Sequence, residues 1–358
     1  TFVSATETWQ YSNAPAAAVA GGESNGFRAI THGPDRIVAA SFLCAEASNN
    51  TCVITSDDGV NWVNQNVPTK IMYTHAVNGG GTYALIGNWG NTVNPEPTPG
   101  IISVNGESWT TVPGNSEDGD VVWGALAYGH DRFVALAQGG PARFKYSANA
   151  IQWNSNAFDN SEFLYTAMTF GGQHFVAVGE NGRVGKSIDG VNWQHATLTE
   201  AFALSWTAIT YGNGLYVAVA KTETVPENSE MGQQVMTSPD GLVWTLQNTP
   251  EFDAWQAVSF GKGVFHAVSG TETPSSVPAR TMSSPDGINW TAQNLQADTR
   301  WFGIDYCAHQ DLFVSVGMSQ VNNIMTLVAV QPDPTNEPTV DPNDNDDGGG
   351  FSSGAIVG

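Results

Sequence analysis

Positive charge is scarce in this chain. Twelve Lys and Arg stand against thirty-four Asp and Glu, for a net charge of −22 over 358 residues. Phosphate backbones and anionic membrane surfaces both call for clustered Lys and Arg, so this balance argues against nucleic acid and lipid headgroups as partners. Charge of either sign is low, at 13% of residues, and the acidic excess reads as a solvated, self-repelling surface. Asn, Gly, Thr, Ser and Trp are plentiful instead, a composition like that of secreted bacterial proteins.

Long apolar runs are missing too. No window reaches the roughly 18 apolar residues that a membrane span needs, so no membrane insertion is expected. No signal-peptide pattern opens the chain, and Thr1 reads as the start of a mature protein. Cysteine is sparse. Cys44 and Cys52 flank a loop between two strand-like runs, and their spacing suits a disulfide worth about 2–3 kcal/mol in an oxidising compartment. Cys307 reads as a buried free thiol. No CxxC pair or Cys/His spacing suggests zinc, and no metal or cofactor is expected.

What the chain has in abundance is repetition. An aromatic-x-small-apolar-x-aromatic-Gly run, followed by a turn and an apolar strand, recurs along almost its whole length. WGALAYG (123–129), YTAMTFG (165–171), WTAITYG (206–212) and WQAVSFG (255–261) are clear copies; FRAITHG (27–33), YTHAVNG (73–79) and WFGIDYC (301–307) are looser ones. Successive copies start 41 to 50 residues apart, about one four-stranded propeller blade. Period-two alternation predicts strands throughout, and helical periodicity is absent. Each unit reads as strands A to D, with strand B in runs such as FVALA (133–137) and FVAVG (175–179).

The turn between strands C and D has its own signature: SDDGVNW (56–62), SVNGESW (103–109), SANAIQW (147–153), SIDGVNW (187–193), SPDGLVW (238–244) and SPDGINW (284–290). Asp or Asn accepts backbone N–H groups across such a turn, Gly supplies positive φ, and the Trp packs between sheets. This turn resembles the Asp box of the BNR-repeat, sialidase-like β-propellers, one residue shorter because Asp and Gly are adjacent, and is closer to a variant found in secreted bacterial propellers of unknown role. The resemblance covers roughly residues 1–331. It implies an all-β, seven-bladed propeller with four-stranded antiparallel blades, in which the Asp box is a folding element remote from the active site. Blade seven lacks a fourth strand of its own, and TETWQYSN (6–13) is an orphan strand D. Pairing the two predicts velcro closure by the N-terminal strand. Residues 332–358 are rich in Pro, Asp, Asn and Gly and read as a disordered acidic tail; NDNDDG (343–348) lacks the glutamate of a calcium loop.

Propeller geometry puts the starts of the A strands and the B–C loops on one face, where function is expected. That face should carry an aromatic ring, Phe27, Tyr73, Trp123, Tyr165, Trp206, Trp255 and Trp301, which either packs between blades or offers a stacking platform for sugars. Among polar candidates, Arg28 and His75 depart from the residue types that other blades place in their slots. Arg280, Arg300 and, in the blade-two loop, Trp89 complete the set. His130, His174 and His309 fall in A–B turns on the opposite face, and His32 fills a slot that is usually Tyr or Phe. B–C loops are long in blades one, two, five and six and short in blades three and four, which predicts a rim open on one side.

Three functions follow. A non-catalytic, monomeric binding module for a glycan or a surface protein, secreted, periplasmic or on the cell surface, accords with the aromatics and the acidic surface. A glycan-active enzyme is the second: GFRAI (26–30) resembles the arginine motif of sialidase-like enzymes, which would call for a triad from Arg28, Arg280 and Arg300, while a Tyr73 or His75 base beside Arg28 would suit a polysaccharide lyase. The third is an assembly scaffold like the related photosystem-assembly propellers, which present a basic patch that this chain lacks.

Overall fold

In a computed structural model, the description covers residues 6–15, 26–42, 52–69, 71–88, 100–112, 121–199, 202–221, 232–270, 279–295, 299–319 and 323–330. Cys44, Trp89, the middle of each of the four long B–C loops and the tail from 331 lie outside these residues. The chain divides into a large unit, Trp9–Val328, and a small one made of Thr1–Thr8 with Ala329–Gly358.

The strands form seven antiparallel sheets of four. Blade one is β2 (Phe27–His32), β3 (Ile37–Ser41), β4 (Val53–Ser56) and β5 (Val63–Gln65). Blade two is β6 (Met72–Gly79), β7 (Thr82–Asn88), β8 (Gly100–Ser103) and β9 (Thr110–Val112). Blade three is β10 (Val122–Gly129), β11 (Arg132–Gly139), β12 (Arg143–Ser147) and β13 (Asn154–Ala157). Blade four is β14 (Ala167–Gly171), β15 (His174–Val178), β16 (Arg183–Ser187) and β17 (Trp193–Thr197). Blade five is β18 (Ser205–Gly212), β19 (Leu215–Lys221), β20 (Val235–Ser238) and β21 (Thr245–Gln247). Blade six is β22 (Trp255–Gly261), β23 (Val264–Ser269), β24 (Arg280–Ser284) and β25 (Thr291–Asn294). The seventh sheet runs in the order β1 (Thr6–Ser12), β28 (Ile324–Val330), β27 (Leu312–Met318), β26 (Arg300–Cys307). This is a seven-bladed β-propeller.

The repeat earns its conservation of type by packing blade on blade. The second aromatic of strand A lies on the glycine that ends strand A of the preceding blade: a Cβ added to Gly129 would come 2.2 Å from Phe170, one on Gly171 2.3 Å from Tyr211, and one on Gly261 2.1 Å from Tyr306. The first aromatic is buried between the sheets. Strand B is apolar on both faces because both are covered; Phe175, Val176, Ala177 and Val178 have no exposed surface.

The C–D turn works as its sequence implies. In blade one the Gly59 N–H donates to Ser56 Oγ at 2.8 Å, and the Val60 and Asn61 N–H groups donate to Asp58 Oδ1 at 2.8 and 2.7 Å. Gly59 takes φ 76°. The Trp62 indole N–H closes the motif on the Gly59 carbonyl at 3.2 Å. The same indole-to-carbonyl bond recurs from Trp109, Trp153, Trp193, Trp244 and Trp290. In blade three Ala150 stands in the glycine position and still adopts φ 58°. Space as well as φ restricts the position, since Cβ atoms on Gly190 and Gly241 would come 2.4 and 2.6 Å from Val134 and Val176 of the preceding blades.

Candidate functional site

The inner strands line a central channel, with the second to fourth places of the repeat on the wall toward the strand-A starts and the fourth to sixth places on the wall toward the A–B turns. Fourth-place residues form an apolar waist of Ile30, Ala76, Leu126, Met168, Ile209, Val258 and Ile304. Two cavities meet there, one of about 330 Å³ toward the strand-A starts and one of about 630 Å³ toward the A–B turns. Both are within the usual size range of small-ligand sites.

The first cavity lies on the face where function was expected, and Arg28 and His75 both line it. The Arg28 guanidinium sits between two rings, 5.0 Å from the centre of Phe42 and 5.2 Å from that of Phe302. His75 Nδ1 is 3.0 Å from Thr74 Oγ1. Burial, and then the charge of Arg28, lower the His75 pKa to about 4, against an opposing hydrogen bond with the Thr166 backbone. The imidazole is therefore neutral at pH 7. Blade three, between His75 and Thr166, has Gly124 at the second place.

The remaining wall is polar. Thr207 Oγ1 donates to the Trp255 carbonyl at 2.7 Å and the Val219 carbonyl at 3.2 Å. Thr166 Oγ1 likewise bonds the Val178 and Trp206 carbonyls. The Gln256 amide donates to the Gly270 carbonyl at 2.9 Å. Gln138 and Lys221, at the ends of β11 and β19, and Glu180, in the connection between β15 and β16, add an amide and two charges. Reading the sequence missed these residues and Phe302. The second place of the repeat holds four of them and was the available signal, but only Arg28 stood out there as unusual in type.

The aromatic ring is corrected by the structure. Phe27, Tyr73, Trp123, Tyr165, Trp206, Trp255 and Trp301 are buried, none more than 3% exposed. They pack between sheets behind the cavity wall and offer no face for stacking a sugar. The Tyr73 phenol donates to the Thr69 carbonyl at 2.7 Å, and burial raises its pKa well above the ordinary tyrosine value. Tyr165 Oη is 2.5 Å from His195 Nδ1, and the Trp206 indole donates to the Phe202 carbonyl at 2.9 Å.

The arginine triad is not assembled either, since neither Arg280 nor Arg300 lines the Arg28 cavity. Arg280 is instead 3.1 Å from Asp253 and bonds Asn294 at 3.0 Å. His309 proves to line the larger cavity, together with His32. Trp89 lies outside the described residues. So does the middle of each long loop of the proposed high rim, whereas the short connections of blades three and four, 140–142 and 179–182, are described. Cys307 is a buried free thiol, its pKa raised by burial and by Asp305. Among the described residues no group of His, Cys, Asp and Glu is arranged to hold a metal ion.

No protein-family model and no curated relative matches the chain. Solved structures do. A streptogramin B lyase is 14% identical at a TM-score of 0.68, over 90% of this chain and 97% of its own. Virginiamycin B lyase from Staphylococcus aureus with quinupristin is 11% identical at 0.69, over 91% and 100%. YCF48 bound to D1 peptide is 12% identical at 0.62, over 90% and 97%. At these identities the likeness establishes the propeller fold, which hosts catalytic and binding proteins alike.

Proposed function

We propose that the chain is a non-catalytic binding module that takes a glycan, or a segment of a surface protein, into the Arg28 cavity. The observation that carries this reading is the cavity wall itself. It brings a guanidinium framed by two aromatic rings together with threonine hydroxyls and glutamine amides, a set suited to orienting a polar ligand. The recognition face is thus the Arg28–Phe42–Phe302 corner rather than the ring of first-place aromatics. The short connections of blades three and four support entry over those two blades.

The same proposal places the protein outside the cytoplasm, with a Cys44–Cys52 disulfide, and groups its C–D turns with the Asp-box propellers. Mass spectrometry of the non-reduced, digested protein tests the disulfide. A glycan array with the wild type, Arg28→Ala and Phe302→Ala tests the site. Binding that both variants lose supports it, and binding that survives both removes this cavity from the account.

His75 gives the lyase reading its one foothold, a neutral imidazole beside Arg28. With its pKa near 4 it is a weak base at neutral pH, far from the match to working pH that general-base catalysis favours. Tyr73, turned to Thr69 and hard to ionise, is a poorer base still. Binding is therefore the better-supported reading. For the scaffold alternative, YCF48 with its D1 peptide offers a structural neighbour that binds a peptide.

A further inference from the structure

The larger cavity at the other end of the channel has a wall of its own. Five blade junctions at this end carry the second aromatic of strand A on a glycine, but the two junctions that flank blade one do not, and the ring on Gly33 is that of Tyr83 from strand B of blade two. His32 and Asn78 replace the aromatic there, and Cys307 replaces the glycine at the junction of blades seven and one. His32 Nδ1 is 2.8 Å from Asp305 Oδ2 across that junction, with both side chains partly exposed, at 31% and 24%. Both residues line the cavity. Around them the fifth-place residues supply the hydroxyls of Thr31, Thr169, Thr210 and Ser259. The Thr31 and Ser259 hydroxyls also accept backbone N–H groups of the next blades, from Asn78 and Tyr306, at 3.1 Å each. The waist, the edges of Tyr128 and Phe170, and Asn78 and His309 are also on the wall.

We propose that this cavity is a second ligand site, one that takes an amine carried on an apolar body, with the ammonium group at Asp305. Asp305 is the carboxylate of the wall, and its surroundings are hydroxyls, carbonyls and rings, all of which suit a cation. The waist and the aromatic edges accept the apolar part. His32 competes for the same oxygen. Burial lowers the His32 pKa, but the hydrogen bond and charge of Asp305 outweigh it and the net shift is upward. In acid the imidazolium neutralises Asp305, and an incoming ammonium has to displace it. As pH rises through the His32 pKa the imidazole becomes neutral and the carboxylate is left to the ligand. Other titratable groups near the pair are Tyr128 and His309 on the wall, Cys307 behind Asp305, and Tyr306, whose phenol turns outward to Asp311 at 2.5 Å.

The test is calorimetric titration of the full chain with benzylamine and, as an uncharged match, benzyl alcohol. The expected result is that benzylamine binds with one site per chain, about tenfold or more tighter than benzyl alcohol, and tighter near pH 8 than near pH 5.5. Asp305→Asn removes the preference for the amine, His32→Phe flattens the pH dependence, and Thr169→Trp, which fills the cavity, removes binding altogether. Circular dichroism establishes that each variant is folded, and Thr169→Trp decides the matter if Asp305→Asn is not. No binding of benzylamine, equal binding of the alcohol, or binding that survives Thr169→Trp overturns the proposal. The last result is what loose attraction of a cation to a chain of net charge −22 would give.

Discussion

The ring of Tyr128 lies so close to the backbone of Gly79 that a Cβ on that glycine would come within 2.0 Å of Tyr128 Cγ. Gly79 ends the inner strand of blade two and Tyr128 lies near the end of the inner strand of blade three, so the pair sets the distance between the blades. Gly79 does not need a positive φ; it is required for space alone. Gly79→Ala is therefore expected to destabilise the protein by about 1–3 kcal/mol through overpacking. Gly81, two residues on, is the opposite case, with φ +77° and open space around it. Gly81→Ala should cost about 1–2 kcal/mol from backbone strain alone. Urea denaturation separates the two causes when Tyr128→Ala is added. That change should relieve the first cost and leave the second as it was.

The C–D turn makes a prediction that distinguishes charge from geometry. Asp58 Oδ1 accepts the Val60 and Asn61 N–H groups, and Asn105 and Asn149 do the same work in blades two and three with an amide oxygen. Asp58→Asn keeps these two bonds but puts an N–H donor where Oδ2 accepts the Asn61 side-chain amide at 2.7 Å, so it should cost something, though less than Asp58→Ala, which should cost about 1–2 kcal/mol, as loss of a comparable helix cap does. Partial burial opposes ionisation of Asp58, but the bonds from Asn61, Val60 and Ser56 prevail and hold its pKa at about 2. The folded pKa is the lower one, so the stabilisation is present above the unfolded carboxylate value of about 4. It is lost as pH falls from there toward 2, and Asp58→Asn should remove that part of the acid sensitivity. A shallower decline in the urea midpoint across this range is the readout.

Reading the sequence reached the fold because the propeller's rules are local and repeated. One inner-strand pattern and one turn pattern recur at matching phase, and each serves the same contact in every blade. The site was harder for the same reason. Arg28 and His75 stand out from their slots and do line the cavity. Thr166, Thr207 and Gln256 look ordinary beside them, and only the closing of the ring brings them together. The first-place aromatics misled because a large side chain near a strand start is equally consistent with burial and display. Which one holds depends on the neighbouring sheet, and a single blade's sequence does not contain that. His32 and Asp305 are 273 residues apart, and their meeting likewise depends on the ring.

Acid should also weaken the fold in a second window, through histidine. His266 is 8% exposed, edge-on to Trp9 at 6.1 Å and tilted against Phe313 at 4.5 Å. Burial lowers its pKa to about 4. The unfolded chain takes up this proton near pH 6.5 and the folded one only near pH 4, so stability falls as pH drops between these values and levels off below. The loss should be of order 3 kcal/mol. Thermal unfolding of the wild type across this range should show the decline, and His266→Leu should reduce it. An unchanged profile in the variant would assign the decline to the other depressed histidines, His75 and His195.

Lys145 carries the last prediction. It is a fully buried lysine on the third strand of blade three, paired in register with Ala135. The corresponding places hold Met236, Met282 and Met325 in blades five to seven, and Ile54 and Ile101 in blades one and two. Its ammonium is 3.9 Å from the ring centre of Trp123 and 5.1 Å from that of Trp153. A desolvated cation over indole gains about 2 kcal/mol or more, but removing the charge from water costs several kcal/mol even after relaxation. Methionine has almost the same length and shape and already fills this place in three blades. Lys145→Met, which keeps the packing, should therefore leave the protein more stable than Lys145→Ala, which opens a cavity beside Trp123, by about 2 kcal/mol or more in urea denaturation. Equal losses in the two variants would mean that the site needs the cation rather than the stem. The polar core of blade three would then be part of what sets that blade's geometry.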